Sequence, residues 1–286
     1  MILITGATGT IGSETVKQLS AAGFAVRALV RTPAKAEAIQ GPGVEIAVGD
    51  LGEPATLDAA LRGVERAFLL PPLDERSVWL QENFIAACQR AGSRQIVKLS
   101  ALGDDLASPV PFLRWHAEGR QILEGCGIPF TDLKPNSFMQ NVLVATPTIA
   151  AEGALYQPAA DAKISHVDAR DIAAVAVKAL TEPGHEGKTY PITGPEALSF
   201  DEIAAILSEV LRKPVRYVSV SPTDYKQSLL RYGTPEWLAD GVNALYAWYR
   251  EGNGAVVTRS VTEVTKNTPI SFDQFARDYA RAFQAV

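Results

Sequence analysis

Residues 2–12 read ILITGATGTIG, three apolar residues followed by glycines at every third position from 6 to 12. The apolar run predicts a short buried strand, and from Thr10 to about Leu19 apolar residues recur at the spacing of a helix. Glycine destabilises helices, so its repeated use where a strand gives way to a helix requires a reason.

The glycine pattern GxxGxxG suits a ligand that must approach the main chain closely. A diphosphate can reach the N–H groups at a helix N-terminus, where the helix dipole favours negative charge. A side chain at Gly6 or Gly9 would obstruct the turn or the phosphates, and Gly12 lets the helix pack against the first strand. The alternative is a tight turn that holds no ligand. We therefore expect a dinucleotide site that includes Gly6, Thr8, Gly9, Thr10, Ile11 and Gly12.

Apolar runs and amphipathic helices alternate along the first half of the chain. We predict strands at 2–4, 24–30, 44–48, 67–70, 95–99 and 130–133, and helices at 10–21, 33–39, 54–61, 76–91 and 111–124. This order predicts an α/β fold, a doubly wound parallel sheet of the Rossmann type. We expect a dinucleotide-binding Rossmann domain over 1–150 and a smaller α-rich substrate-binding region over 151–286, with about 166–193 returning to the Rossmann core.

Local signals predict several helix ends. Thr32 precedes Pro33 as an N-cap, and Ser199 with Glu202 forms a capping box. Gly92 is placed to end the helix over 76–91.

The end of the second strand indicates which dinucleotide binds. Where NAD-binding proteins carry an acidic residue for the ribose 2′-hydroxyl, this sequence has Arg31. Arginine pairs well with phosphate, and Lys35, one turn into the next helix, adds positive charge. We therefore expect NADP(H) as the preferred cofactor and NAD(H) as the second choice, unless Arg31 is a solvated residue at a strand end.

Composition excludes several classes of function. The 286 residues are 47% hydrophobic and 21% charged with a net charge of −5, and no basic stripe suggests nucleic acid. No apolar run reaches the roughly 18 residues of a membrane span, and a strand that begins at Ile2 leaves no room for a signal peptide, so we expect a cytoplasmic protein. Three dispersed histidines and two cysteines argue against a metal site. Cys88 and Cys126 are expected to be buried free thiols.

From residue 3 to about residue 211 the sequence resembles the NmrA-like group of atypical short-chain dehydrogenases/reductases, which includes NAD(P)H-dependent quinone reductases and triphenylmethane reductases. The matching stretches include TGATGTIG, LVRTPAKA, VKLSALG, LKPNSFMQN and HVDARDIAAVAV. All the cofactor contacts that the resemblance implies follow predicted strands, at the carboxyl edge where doubly wound sheets bind ligands. They are Asp50 and Leu51 beside the adenine, Leu70, Pro71 and Pro72 near the ribose and nicotinamide, Ser100 near the nicotinamide ribose, and Pro135, Asn136 and Phe138 near the nicotinamide ring.

One departure from the wider family bears on the reaction. Ordinary short-chain dehydrogenases carry Tyr-x-x-x-Lys on the helix after the fifth strand, whereas residues 112–123 here read FLRWHAEGRQIL, with neither residue. Reduction of a simple ketone makes a basic alkoxide that needs an acid. A quinone instead yields a phenolate and a cationic dye yields a neutral product, so the departure favours such conjugated acceptors.

Two sets of residues are candidates for contact with the acceptor. His116 is either a proton donor or a histidine that packs and bonds to Glu118 or to the backbone. Aromatic residues of the C-terminal part either form walls for a planar substrate or simply pack. The substrate candidates are Trp115, Met139, Tyr225 and Trp237.

The leading hypothesis is an NADPH-dependent oxidoreductase that transfers hydride to a quinone, a dye or a similar conjugated small molecule. The main rival, also implied by the resemblance, is a non-catalytic NAD(P)-binding redox sensor that acts through a regulatory protein partner. A reductase or epimerase of an unusual metabolite is a third interpretation. A homo-oligomer is an open alternative to a monomer.

Overall fold

Parallel strands form the centre of the computed structural model, which describes residues 1–284; positions 285 and 286 of the expected second region lie outside the described residues. The strands of that range are β1 (Ile2–Ile4), β2 (Val26–Val30), β3 (Val44–Val48), β4 (Arg66–Leu69), β5 (Gln95–Leu99), β6 (Phe130–Pro135), β7 (Ala154–Gln157), β8 (Thr189–Ile192) and β9 (Arg216–Ser219). Seven of them form one sheet in the order β3-β2-β1-β4-β5-β6-β8, and β7 pairs with β9. The predicted doubly wound parallel sheet is confirmed.

The helices follow the sequence pattern closely. They are α1 (Thr10–Ala21), α2 (Pro54–Ala60), α3 (Ser77–Ala91), α4 (Pro111–Gly125), α5 (Thr146–Glu152), α6 (Ala169–Thr181), α7 (Phe200–Leu211), α8 (Pro222–Arg231), α9 (Glu236–Arg250), α10 (Ser260–Thr265), α11 (Phe272–Asp278) and α12 (Ala280–Gln284), with 3-10 helices at Pro33–Ile39 and Met139–Ala145. The capping box of Ser199 and Glu202 forms, and Gly92 ends α3 in the left-handed region at φ +69°.

The segment after β2 differs from the prediction. Residues 33–39 form a 3-10 helix, and the side chain of Thr32 makes no capping hydrogen bond. The N–H of Lys35 instead donates to the main-chain oxygen of Thr32 at 3.1 Å, which is the tighter i to i+3 pattern. Thr32 is the N-cap residue with Pro33 after it, as predicted, although its side chain takes no part in capping.

Alternate residues of each central strand face opposite sides of the sheet, because side chains alternate along a strand. Ile4 packs into the core beneath α1 and α6, whereas Leu3 packs into the core formed with α2 and α3. Both cores are needed because a parallel sheet is covered on both faces. The carboxyl ends of the strands, and the loops that follow them, are therefore not covered by these two helical layers.

Parts of the second half of the chain belong to the sheet layer. Strand β8 pairs with β6, α6 packs on α1, and Val261 of α10 lies in the same core. A separate core holds the small β7–β9 sheet together with α7 and α11, with Phe200 and Phe272 at its centre. The carboxylate of Asp171 in α6 accepts the N–H of Ile270 at 2.8 Å and so ties the C-terminal segment to the sheet layer.

The two cysteines occupy different environments. Cys88 of α3 is buried, and burial raises the pKa of its thiol to about 12. Cys126 is only half-buried because it stands at the end of α4, so the expectation of two buried thiols was wrong for this residue.

Within residues 1–284, no helix combines the length and apolarity that crossing a membrane requires. In the same range no group of three or more His, Cys, Asp or Glu side chains is arranged to hold a metal ion.

The packing of α1 on the glycine turn leads to a stability prediction. A Cβ added to Gly12 would lie 2.1 Å from the carbonyl oxygen of Gly6, so the turn and the helix must separate. We expect Gly12→Ala to lower the free energy of unfolding by about 1–3 kcal/mol, as other overpacked substitutions do. Gly125→Ala is the matched control, because a Cβ at this helical glycine meets nothing within 4 Å. Equal urea midpoints for the two variants would contradict the prediction.

Asp171 leads to a prediction about pH. Burial raises the pKa of this carboxyl from 3.8 to about 6. Because the folded state binds the proton more tightly, the contribution of Asp171 is complete below about pH 4 and is lost as the pH rises through 6. We expect the difference in free energy of unfolding, wild type minus Asp171→Asn, to fall by about 2 kcal/mol between pH 4 and pH 7. Urea denaturation at several pH values measures this difference; parallel stability curves would rule the prediction out.

Candidate functional site

The glycine turn leaves the start of α1 open to a ligand. Gly6 adopts φ +55°, and a Cβ there would lie 3.3 Å from the Cβ of Leu70. Gly9 is the N-cap residue of α1 and donates its N–H to the carbonyl oxygen of Gly6 at 2.9 Å, and no side chain caps the helix. Thr8 and Thr10 are exposed, whereas Ile11 is buried behind them. An uncapped helix start without bulky side chains fits a diphosphate.

A cleft of about 550 Å³ lies beside this turn. Its lining residues are Thr8, Ala34, Lys35, Glu37 and Ala38. Arg31 is exposed directly after β2, and within the described residues neither its side chain nor that of Lys35 pairs with another protein group. The Arg31 charge also helps to lower the pKa of the Asp74 carboxyl, after the contribution of Arg76. The two cations, Arg31 and Lys35, make this corner suitable for a phosphate.

The loop after β3 is held rigidly where the adenine is expected. The carboxylate of Asp50 accepts the N–H of Gly52 at 2.7 Å, and the main-chain oxygen of Leu51 accepts the side-chain amide of Asn83 at 2.9 Å. The indole of Trp79 stands next to this loop and is 43% exposed. Sequence reasoning missed Trp79, whose only signal was a large aromatic residue at a helix start.

Thr5 ties the glycine turn to the end of β4. Its hydroxyl accepts the N–H of Leu70 at 2.8 Å, and its own N–H donates to the main-chain oxygen of Phe68 at 3.1 Å. Leu70, Pro71 and Pro72 are half-buried as they leave the sheet. Because Leu70 also lies against Gly6, the β4 loop and the glycine turn form one wall at the switch point of the sheet.

Buried charged residues lie within β5 and β6. Lys98 and Asp132 are directly opposite each other in the pairing of the two strands, and both are fully buried. Lys98 Nζ donates to Ser100 Oγ at 2.6 Å, and Ser100 Oγ donates to Asp132 Oδ1 at 2.5 Å. The predicted cofactor residue Ser100 thus connects two charges that the sequence analysis did not identify. The available signal was the presence of Lys98 in β5 and of Asp132 and Lys134 in β6.

The His116 side chain is half-buried on α4. Its Nδ1 is buried and has no hydrogen-bond partner, so neither Glu118 nor the backbone holds it. Burial, with a smaller contribution from the Lys98 ammonium, lowers the pKa of His116 well below its usual value. The imidazole is therefore neutral at neutral pH, which argues against the proton-donor role that the sequence suggested.

Asn136 is braced within the protein. Its amide nitrogen donates to Ser165 Oγ and to the main-chain oxygen of Gly254, both at 2.8 Å, so it anchors the C-terminal segment. Pro135 is buried at the end of β6, and Phe138 is half-buried beside the first core. Contact of these three residues with a nicotinamide stays a prediction.

The structure brings together two of the four predicted substrate residues. The rings of Trp115 and Trp237 lie 5.9 Å apart, and the ring of Phe112 is 5.7 Å from Trp115. Tyr225 packs instead on Tyr246 at 5.9 Å. Met139 is 1% exposed in the second core and is not part of this aromatic group.

Close contacts hold α9 against α4 and against the loop that follows β5. A Cβ at Gly241 of α9 would lie 2.4 Å from the Phe112 ring, and one at Gly103 would lie 2.3 Å from the Trp248 ring. Gly103 follows Ser100 by three residues. The aromatic residues and the Ser100 loop are therefore parts of one packed assembly.

Comparison with known proteins identifies the family. The model of the NmrA-like family matches residues 1–276. A relative named NAD(P)H azoreductase, from Xenophilus azovorans, is 44% identical over 286 residues, which is 100% of each chain. Quinone oxidoreductase 2 of Escherichia coli K12 is 34% identical over 243 residues, 84% of this chain and 85% of the relative.

Solved structures agree with this result. The NADPH complex of the Escherichia coli quinone oxidoreductase QOR2 has a TM-score of 0.89 at 29% identity and covers 98% of this chain and 100% of its own. Citrobacter sp. triphenylmethane reductase with NADP(H) has a TM-score of 0.84 at 26% identity and covers 97% and 99%. Sequence motifs, sheet order and both comparisons agree: the chain belongs to the NmrA-like family.

Proposed function

We propose that this protein is an NADPH-dependent oxidoreductase that transfers hydride to a quinone, a dye or a similar conjugated acceptor. The observation that carries the proposal is the uncapped start of α1 behind a turn whose glycines leave no room for side chains. Relatives named as an azoreductase and a quinone oxidoreductase support the reaction class. The NADP(H) complexes of two structural neighbours support the cofactor.

The residues present suit the phosphates of NADPH. The N–H groups of the glycine turn and of the first turn of α1 would bind the diphosphate. Arg31 and Lys35 would bind the 2′-phosphate, which NAD(H) lacks, so NADP(H) is the preferred cofactor.

The chain supplies binding and orientation, and the bound cofactor would supply the hydride. Leu70, Pro71 and Pro72 would exclude water on the β4 side. The rings of Phe112, Trp115 and Trp237 offer a wall of apolar surface to a planar acceptor. Reduction of a quinone or of a cationic dye needs no strong acid, which is consistent with the absence of the Tyr-x-x-x-Lys pair.

The missing Tyr-x-x-x-Lys pair also fits a non-catalytic sensor of NAD(P), for which a regulatory protein would be the partner. A homo-oligomer and a cytoplasmic location likewise stay predictions. The two functions differ in a simple observable, because a sensor binds NADPH without oxidising it.

Arg31 offers a test of cofactor choice. We expect Arg31→Ala to weaken NADPH binding about 10- to 100-fold, the usual effect of losing a hydrogen bond to a charged group, and to leave NADH binding nearly unchanged. Calorimetric titration of both cofactors measures this. Arg94→Ala is the matched control, because this exposed arginine precedes β5 and so lies at the opposite edge of the sheet. Equal losses for both cofactors would refute the role of Arg31.

A panel of acceptors tests the reaction itself. NADPH oxidation is followed by absorbance with a naphthoquinone, an azo dye and a cationic triphenylmethane dye, each against a reaction without protein. We expect at least one acceptor to be reduced at a rate that depends on protein concentration. Confirmed NADPH binding with no oxidation above background across the panel would instead establish the sensor.

A further inference from the structure

Two opposite charges are buried side by side in the central sheet. Lys98 of β5 and Asp132 of β6 each have 0% exposure, although their neighbours in the strands are mostly apolar. Burying an ion pair is often no more stabilising than burying apolar residues of similar size. A contribution to stability therefore does not by itself explain why the protein buries Lys98 and Asp132.

The pair is linked to the carboxyl edge of the sheet through Ser100. The three N–H groups of the Lys98 ammonium point to Ser100 Oγ at 2.6 Å, to the main-chain oxygen of His116 at 3.3 Å and to that of Leu99 at 3.4 Å. Ser100 is the first residue beyond β5, and its hydroxyl in turn donates to Asp132. A hydrogen-bonded chain therefore runs from the buried ammonium to the Asp132 carboxylate through Ser100, which is 2% exposed at the start of the loop where the nicotinamide ribose is expected.

Other charges surround the Lys98–Ser100–Asp132 chain. Lys134 Nζ contacts Asp104 Oδ1 at 2.5 Å and Asp132 Oδ2 at 3.6 Å, and Arg120 Nε lies 3.3 Å from Asp104 Oδ2. Burial lowers the pKa of Lys98 to about 8; Asp132 and Asp104 oppose this shift, while Arg120 and Lys134 add to it. The ammonium can thus release a proton at a pH close to neutral. A group that stays charged at all such pH values could not do so.

We propose that Lys98 is a positioning residue that supplies a proton, through the hydroxyl of Ser100, to an acceptor whose reduced form is a strong base. The inference rests on the proposed oxidoreductase function and narrows it to a class of acceptor. Azo compounds belong to this class, because an azo nitrogen that has gained hydride leaves its neighbour as a basic anion.

One azo nitrogen gains hydride, that is, two electrons and one hydrogen, from NADPH, which becomes NADP⁺. The Ser100 hydroxyl turns from Asp132 Oδ1 to the other nitrogen and gives it its proton, and the Ser100 oxygen takes a proton from the Lys98 ammonium, which becomes an amine. The azo double bond becomes the N–N single bond of a hydrazine, and water later returns a proton to Lys98.

A cationic triphenylmethane dye provides an internal comparison. Hydride addition to its central carbon gives a neutral product directly, so that reaction requires no proton. Damage to the chain of hydrogen bonds should therefore slow azo reduction selectively. A purely structural role of Lys98 would slow both reactions together.

The experiment compares methyl red with crystal violet at saturating NADPH. We expect Ser100→Ala and Lys98→Met each to lower the ratio of the methyl red rate to the crystal violet rate about 100-fold, the usual scale of general acid catalysis. Lys163→Met is the matched control, because this exposed lysine pairs with Glu202 outside the cluster, and its ratio should stay within about twofold of the wild type. Ser100→Ala removes no charge, so the test stands even if Lys98→Met fails to fold.

Two further readouts separate this inference from the proposed function. The wild-type rate with methyl red should fall as the pH rises through about 8, whereas the rate with crystal violet should show no such break. In the ligand-free protein, NMR of the lysine Cε carbons should show one lysine with a midpoint near pH 8.

Equal losses on both dyes, or a Lys98 that stays charged above pH 10, would overturn the inference and leave the oxidoreductase function standing. A wild type that reduces neither dye nor any quinone would overturn both.

Discussion

The contact between the glycine turn and the start of α1 constrains the rest of the molecule. Gly12 meets the carbonyl oxygen of Gly6 so closely that a Cβ would lie 2.1 Å from it, and this contact holds the helix on the sheet. Thr5 holds the same turn to the end of β4. No side chain caps the helix start, and no bulky side chain stands beside it. Its N–H groups therefore remain available to an anion.

A second constraint lies two strands away, where the sheet carries a buried lysine opposite a buried aspartate. Placing Lys98 and Asp132 in register lets the Ser100 hydroxyl bond to both. The same strand ends carry the loop in which Gly103 packs against Trp248. The Ser100 loop, the buried charges and the aromatic residues of the C-terminal part are therefore packed together.

The lowered pKa of His116 shows how the surroundings of a side chain affect its protonation. A histidine on an exposed helix would titrate near neutral pH. Here the half-buried imidazole lies near the Lys98 ammonium, so both burial and like charge oppose its protonation. Lys98, which is hydrogen-bonded to Ser100, is therefore better placed to supply a proton than His116, the candidate that the sequence of α4 suggested.

Periodicity and turn chemistry determined the fold from the sequence: the alternation of strands and helices, the glycine turn and the capping box of Ser199 are local, and local patterns survive folding. The position of Arg31 after β2 is local in the same sense. What only the tertiary structure decided depends on which side chains meet across the sheet. The pairing of Lys98 with Asp132, the joining of Trp115 with Trp237, and the burial of Met139 in a separate core arise from residues far apart in the chain. Register and packing of that kind leave no periodic trace in a single sequence.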